Sequence, residues 1–144
     1  NATEAGVADR VRFELWDASA GAANSPAPPP FDLVLAVEML HDVPDTVGIL
    51  ATMRPLCADG GAVLVADERV ADVFTAPGDG MERFMYAASV LHCLPVGMVE
   101  QGPAATGTVI RSSIVRDYAA RAGFTHTEVL DVDHPQFRLY RLGG

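Results

Sequence analysis

Two runs of consecutive apolar residues mark the first half of the chain. They are FDLVLAV, residues 31–37, and GAVLVAD, residues 61–67, and both are rich in branched side chains. Uninterrupted runs of this length suit parallel strands that are covered on both faces. Between them one set of positions recurs at helical spacing: Val47, Leu50, Ala51 and Arg54. Asp59-Gly60-Gly61 predicts the end of that helix, and together the pieces predict a strand–helix–strand unit with a right-handed crossover.

A further strand is predicted ahead of this unit. The segment RVRFELWDA, residues 10–18, is typical of a strand that ends at Asp17. The next segment, SAGAANSPAPPP, residues 19–30, is rich in proline and small residues. Because a strand pattern resumes directly after it, we interpret this segment as a loop inside one domain.

The second half of the chain predicts helices followed by a strand pair. Residues 79–98 are mostly apolar and predict a helix that stops at Pro95, and residues 102–111 predict a loop. Residues 112–124 predict an amphipathic helix capped by Ser112 or Ser113 and ended by Gly123. Residues 126–133 and 137–142 predict two strands whose short connection makes them antiparallel. The fold class is therefore α/β, mostly parallel, with an antiparallel C-terminal strand pair.

Composition restricts the classes of partner. The 144 residues fit one domain, and acidic residues outnumber Lys and Arg by 19 to 10, which disfavours nucleic acid as a partner. The longest apolar stretch, FMYAASVLHCLPVGMV, is broken by Pro95, so we expect no membrane partner. Cys57 and Cys93 have no metal-like spacing and are expected to be reduced thiols. No signal peptide opens the chain, and we expect a cytoplasmic protein.

Acidic residues follow all three predicted parallel strands. Asp17 follows the first, Glu38 the second, and Asp67 and Glu68 the third. Ligands of open α/β sheets bind outside the carboxyl ends of the strands, where such acids can accept hydrogen bonds from ribose hydroxyls, an adenine amino group or an ammonium group. The alternative is that polar residues simply gather where strands reach the surface, and the sequence leaves both interpretations open.

His41 is the best candidate for acid–base chemistry. Its ordinary pKa near ~6.5 lets it accept a proton at neutral pH, and Asp42 or Glu38 could orient its ring. The alternative is a polar residue that lines the loop before the helix. The four histidines are scattered, and a single ExxH at Glu38 and His41 does not make a di-iron site, so no metal is predicted.

The order of the segments resembles a known family. The segments AGVADRVRFELWDAS, FDLVLAVEMLHDVPD, LATMRPLCADGGAVLVADE and YAARAGFTHTEVL are together similar to the later two-thirds of class I S-adenosylmethionine-dependent methyltransferases. LHDVPD followed by GGAVLVADE is particularly similar to O-methyltransferases that act on small molecules. The resemblance covers nearly the whole chain and implies that residues 1–144 are the C-terminal part of a single methyltransferase domain with a Rossmann-like sheet.

The resemblance implies roles for six residues. Asp17 and Ala18 would contact the adenine of S-adenosylmethionine, and Val37 and Glu38 its methionine part. His41 would remove the proton of the substrate hydroxyl, with Asp67 holding it. A second supporting glutamate of the family has no match, because Ile110 and Arg111 stand at that place. The segment 82–98 would form part of the acceptor pocket.

The resemblance also implies that a part of the fold is lacking. Members of the family begin with two strands and a glycine-rich loop, and their sheet order is 3-2-1-4-5-7-6. This chain has no counterpart of those strands, so the first two predicted strands would lack the pair that normally separates them. Either a preceding segment of a longer enzyme completes the sheet, or the strands pair differently, or another chain such as a second copy in a homo-oligomer fills the gap. The fragment of a longer enzyme is favoured, and the chain alone is expected to be inactive.

The sequence leaves three candidate functions. The first is methyl transfer from S-adenosylmethionine to a small molecule, with a hydroxyl as acceptor. The second is a methyltransferase-like domain that binds or assembles without catalysis. The third, a nicotinamide oxidoreductase, is weak, because the sequence has neither GxGxxG after a strand nor any lysine for a Tyr-xxx-Lys pair.

Overall fold

The computed structural model describes residues 1–20, 30–99 and 105–144 as a four-stranded sheet with helices. After a 3-10 turn at Ala18–Ala20, the elements in chain order are β1 (Phe31–Val37), α1 (Thr46–Leu56), β2 (Cys57–Glu68), α2 (Gly80–Ala88), α3 (Leu94–Met98), α4 (Ser112–Arg121), β3 (His126–Val129) and β4 (Phe137–Gly143). A π-helical turn, Ser89–Cys93, joins α2 to α3.

The sheet confirms the predicted α/β fold class. Its strand order is β1-β2-β4-β3, with β1 and β2 parallel and the other two pairs antiparallel. This order corresponds to the 4-5-7-6 part of the sheet that the resemblance implies. The parallel pair and the antiparallel C-terminal pair both lie where the sequence predicts them.

The predicted strand at residues 10–18 is not formed. Residues 11–17 have no regular structure. Phe13 is mostly exposed there, and Leu15 is fully exposed. A strand is stabilised by hydrogen bonds to a neighbour, and in the described part of the chain β1 pairs with β2 alone. Among the described residues, the strand pattern that ends at Asp17 therefore has no strand to pair with, and the sequence prediction of a strand is wrong at this place.

The helix predicted to stop at Pro95 continues past it. The Leu94 N–H donates to the carbonyl of Ser89, five residues back, and α3 then runs through Pro95 to Met98. Proline lacks an N–H and crowds the preceding turn of an α-helix. A π-helical turn is wider than an α-helical one. Here the turn Ser89–Cys93 lies just before Pro95, so the helix bulges at this place and continues past the proline.

Two predicted helix ends also differ in detail. The N-cap of α4 is Arg111 and neither serine caps the helix, because the Ser112 hydroxyl donates to Asp72 instead. The first long helix, α1, already ends at Leu56, and the Asp59-Gly60-Gly61 turn becomes an irregularity within β2. There Phe31 pairs with Cys57 while Leu33 pairs with Ala62.

The core lies between the sheet and the helices α1 and α4. Its fully buried members include Leu50 of α1, Val63 and Val65 of β2, Val115 of α4 and Tyr140 of β4. Gly123 ends α4 in the left-handed region (φ +93°), as the sequence predicts. No helix in the described ranges is both long and apolar enough to cross a bilayer.

One face of β1 is left uncovered by the described residues. Its alternate side chains Phe31, Leu33, Leu35 and Val37 are 43–58% exposed. Ala36, on the opposite face, is buried in the core. The expectation that the parallel strands are covered on both faces is therefore wrong for β1 within the described residues, because α1 and α4 pack against the other face.

Candidate active site at the carboxyl ends of β1 and β2

A tight turn after β1 brings His41 back over the end of β2. Glu38 adopts the left-handed region (φ +49°), which is uncommon for a residue with a side chain, and its N–H donates to the carbonyl of Ala66 at 2.9 Å. The Thr46 hydroxyl then donates to the carbonyl of Leu40 at 3.1 Å, and Asp45 caps α1. Both ends of the turn are thus fixed by hydrogen bonds.

His41 and Asp67 form a buried pair. The His41 Nδ1 lies 2.6 Å from the Asp67 Oδ1, and the two residues are 3% and 0% exposed. Asp67 also accepts hydrogen bonds from the N–H groups of Leu40 and Glu68, at 3.1 and 2.9 Å. A carboxylate on Nδ1 selects the tautomer in which Nε2 carries the lone pair. The ring is therefore fixed with a proton-accepting nitrogen opposite the carboxylate.

The surroundings of His41 favour its protonated form. Burial lowers its pKa, but the hydrogen bond to Asp67 and the charges of Asp67, Asp42 and Glu68 outweigh burial and raise that pKa above its usual 6.5. A histidine with these neighbours accepts a proton readily. The pair can act as a general base whose imidazolium is stabilised by the carboxylate.

Glu68 adds a second buried carboxyl group to the site. Burial is the main cause that raises its pKa to about 7, with further contributions from Glu38 and Asp67, while His41 acts in the opposite direction. Its Oε2 is buried and has no hydrogen-bond partner among the described residues. Ile110, at the place of the family's second glutamate, is fully buried in the apolar core. Glu68 is thus a further acid near His41, besides Asp67 and Asp42.

Cys93 completes the surroundings of His41 and was not a candidate from the sequence. It is buried, and burial is the main cause that raises the pKa of its thiol to about 11. Its neighbour Asp42 lies 3.4 Å from the His41 Nε2, measured from Oδ1. Cys93 belongs to the π-helical turn, far from Asp42 in sequence, so only the fold brings them together.

The residues expected to bind the cofactor lie on two separate segments of the chain. Val37 and Glu38 end β1 beside the His41–Asp67 pair. Asp17 accepts hydrogen bonds from the backbone N–H and the hydroxyl of Ser19, at 2.9 and 2.6 Å, and Ala18 packs against the core. The 3-10 turn beginning at Ala18 contacts α1. A shared cofactor rim of Asp17, Glu38 and Asp67 stays a prediction.

The segment expected to form the acceptor pocket does lie against the site. The carbonyl of Asp42 is so close to Gly97 that an added Cβ would come within 3.2 Å of it. The carbonyl of His41 accepts a hydrogen bond from Gly107 at 3.0 Å. Glu82 of α2 is held by Arg111 at 2.5 Å. Helix α3 and the loop before α4 thus lie against His41 and Asp42, and α2 is tied to that loop through Glu82 and Arg111.

A surface pocket lined by arginine and aspartate side chains lies away from His41. It has a volume of about 570 Å³ and lies between β3, β4 and α4. Arg138 there lies 3.0 Å from Asp72, and Arg69 lies 3.4 Å from Asp133. Because the arginines of this pocket face carboxylates of opposite charge, we place the candidate site at His41, where a histidine and an aspartate form a buried pair at the carboxyl ends of two parallel strands.

Comparison with known proteins identifies the class of fold. No protein-family model matches the sequence, and no curated protein matches it significantly. Among solved structures, the fold is shared with O-methyltransferases: a putative O-methyltransferase from Nostoc punctiforme matches with 21% identity and a TM-score of 0.66, covering 98% of this chain and 39% of that chain.

Two further structures give the same result. PigF with SAH matches with 19% identity and a TM-score of 0.67, covering 99% of this chain and 38% of that chain. The mitomycin 7-O-methyltransferase MmcR matches with 17% identity and a TM-score of 0.65, covering 99% of this chain and 36% of that chain. The chain thus has an O-methyltransferase fold and spans about two-fifths of the length of these structures.

Proposed function

We propose that the chain is the part of a methyltransferase that carries the catalytic base and transfers a methyl group from S-adenosylmethionine to a hydroxyl of a small molecule. The observation that carries this proposal is the buried His41–Asp67 pair at the carboxyl ends of two parallel strands. The shared fold supports it, since one structure of that fold is PigF with SAH and another is a mitomycin 7-O-methyltransferase.

The residues present fit one part of S-adenosylmethionine. Asp17 provides carboxylate oxygens for an adenine amino group, and the neighbouring Trp16 has a buried indole N–H without a partner among the described residues. Val37 and Glu38 offer backbone and carboxylate groups for the methionine part. When bound, the cofactor supplies a methyl group that its sulfonium charge already makes reactive.

His41 then moves the proton that leaves the acceptor. Its Nε2 takes the hydroxyl proton, while Asp67 stabilises the charged ring through Nδ1. A positioned base of this kind contributes about 10²–10⁴-fold to the rate. The surrounding helices would position the acceptor beside His41, and such positioning is the larger part of catalysis in group transfers.

Completion of the sheet belongs to the same proposal. Because the neighbours are more than twice as long and β1 has an uncovered face, a preceding segment of a longer polypeptide or a second copy of this chain would supply the remaining strands. In this proposal, residues 1–144 form the C-terminal part of a single methyltransferase domain.

The alternative function is a methyltransferase-like domain that binds or assembles without catalysis. Its support is that the chain matches about two-fifths of the neighbouring structures. Calorimetry on the full-length gene product separates the two functions, because the enzyme must bind S-adenosylmethionine. If the full-length gene product binds no S-adenosylmethionine, the proposal that it is an enzyme is contradicted.

The decisive test of the base is His41→Ala in the full-length gene product. We expect the turnover number with a methyl acceptor to fall by about 10²–10⁴-fold while S-adenosylmethionine still binds, because the proton acceptor is removed and the cofactor contacts remain. His126→Ala is the matched control, since His126 is exposed on β3. Undiminished methylation by His41→Ala would remove His41 from the mechanism.

A further inference from the structure

Three side chains of different chemistry meet at one point of the site. The ligand atoms of His41, Asp42 and Cys93 all lie within 4.8 Å of one another, and the His41 Nε2 is 3.4 Å from the Asp42 Oδ1. Four-coordinate zinc holds its ligands at ~2.0–2.3 Å, which separates neighbouring ligand atoms by about 3–4 Å. The separation of 3.4 Å falls in this range, and the other two are no longer than 4.8 Å, so small side-chain movements would bring all three atoms onto one cation.

A buried carboxylate oxygen at this point lacks a hydrogen-bond partner that a bound cation would replace. The Asp42 Oδ1 is buried and has no hydrogen-bond partner among the described residues. A buried polar atom without a partner costs about 1–3 kcal/mol. The neighbouring His41 side chain is only 4% exposed, and its Nε2 faces this oxygen. A cation between the two atoms would satisfy both.

The far side of His41 is arranged as it is in metal centres. Histidines that bind metal usually donate their other ring N–H to a carboxylate, which fixes the ring and raises the basicity of the ligating nitrogen. Asp67 is that carboxylate, at 2.6 Å from Nδ1. Two backbone N–H groups hold Asp67 in turn. The histidine is therefore pre-oriented for a ligand on Nε2.

We propose that His41, Asp42 and Cys93 form a binding site for a divalent transition metal of the zinc class, with a fourth position open to water or another ligand. The donor set decides the metal: a thiolate and an imidazole suit zinc, whereas magnesium and calcium require oxygen ligands. A thiolate, a carboxylate and a neutral imidazole also balance the charge of a divalent ion. Coordination deprotonates a thiol that is otherwise protonated.

Metal binding at this point excludes the base role of His41. The same Nε2 lone pair cannot hold a metal ion and accept a proton, so the bound ion inhibits methyl transfer. Only this consequence rests on the proposed function. The metal site itself depends on the three ligands alone, and its test needs no activity measurement.

The test measures metal affinity of the full-length gene product directly. Zinc is titrated in competition with a chromophoric chelator, and the cobalt(II) form is examined by absorption. We expect one equivalent bound through these ligands, a thiolate-to-cobalt charge-transfer band, and a loss of at least about tenfold in affinity in Cys93→Ser and in Asp42→Asn. Cys57→Ser is the matched control, because Cys57 is the second free thiol and lies outside the cluster.

The two variants keep the test decisive. Asp42→Asn changes a side chain that is one-third exposed, so it tests the site even where Cys93→Ser disturbs the packing of a buried residue. Failure to bind one equivalent, a cobalt spectrum without the thiolate band, or equal affinity of both variants and the native protein would each overturn the site. Loss of zinc with intact S-adenosylmethionine binding in the variants supports it.

Discussion

At the scale of single residues, Asp67 determines the state of His41. Its two oxygens accept hydrogen bonds from the His41 ring and from two backbone N–H groups, all in a buried setting. The same carboxylate therefore fixes the position of the turn, the tautomer of the ring and its preference for a proton. The surrounding charges of Asp42 and Glu68 act in the same direction on the ring.

Asp67→Asn tests this arrangement. We expect the rate of the full-length gene product to fall by about 10²–10⁴-fold, because the imidazolium loses its charged partner. The acid limb of the pH–rate profile should move to lower pH, since the pKa of His41 falls when the Asp67 charge is removed while Asp42 and Glu68 remain. Asp117→Asn, at an exposed position of α4, is the control. An unshifted acid limb contradicts the role of Asp67.

Glu68 makes stability depend on pH. Its pKa is raised by burial from 4.5 in the unfolded chain to about 7, so the folded protein favours the protonated carboxyl. The stability that it contributes is present below about pH 4.5 and is lost as the pH rises through about 7. Glu68→Gln should therefore raise the free energy of unfolding by roughly 1–3 kcal/mol at alkaline pH and leave it nearly unchanged in acid.

Urea unfolding of the full-length gene product at the two pH extremes measures this effect. The exposed Glu128 provides the control, because Glu128→Gln should be neutral at both. An equal effect of Glu68→Gln in acid and alkali would show that burial of charge is not the cause.

At the scale of elements, the sequence predicted what local patterns determine. Apolar runs located β1 and β2, and amphipathic spacing with Gly123 located α4. The prediction of a strand at residues 10–18 was wrong, because a strand requires a neighbouring strand that its own residues do not encode. The π-helical turn before Pro95 depends in the same way on packing beyond the turn itself.

The candidate site was predictable only in part for the same reason. His41 and Asp67 could be paired because the carboxyl ends of parallel neighbouring strands meet at one edge, but their pairing was taken from the resemblance rather than from geometry. Cys93 approaches Asp42 through the path of α2 and the π-helical turn, and no spacing along the chain encodes that contact.

The loop before α4 supports the site through Gly107. Its φ is +70°, its N–H donates to the carbonyl of His41, and an added Cβ would lie 2.1 Å from the Ser89 Oγ. Gly107→Ala should lower the free energy of unfolding by roughly 1–3 kcal/mol, from backbone strain alone, and displace His41. Gly80→Ala, in α2 with open space around its Cβ, should be neutral or slightly stabilising. Chemical denaturation of both variants compares them, and equal stability contradicts this role of Gly107.

At the scale of the whole molecule, the sheet has one feature that its described residues do not explain. A parallel strand is normally covered on both faces, yet within residues 1–20, 30–99 and 105–144 β1 pairs with β2 alone and presents four large apolar side chains on one face. An apolar strand with a free edge promotes association with other chains. Coverage by further strands and helices, as in the longer structures of the same fold, is the arrangement that resolves this exposure.

Leu35 tests whether that face is covered in the full-length gene product. Its side chain is 57% exposed at the centre of the apolar face. If a preceding segment or a second copy packs there, Leu35→Ser should lower the free energy of unfolding by about 2–5 kcal/mol, as large-to-small changes in a core do. Val73→Ser is the control, because Val73 is 71% exposed in the segment after β2 and away from β1. Equal stability of the two variants would mean that the face of β1 is in contact with water, and the proposal of a completed sheet would then fail independently of the base and of the metal site.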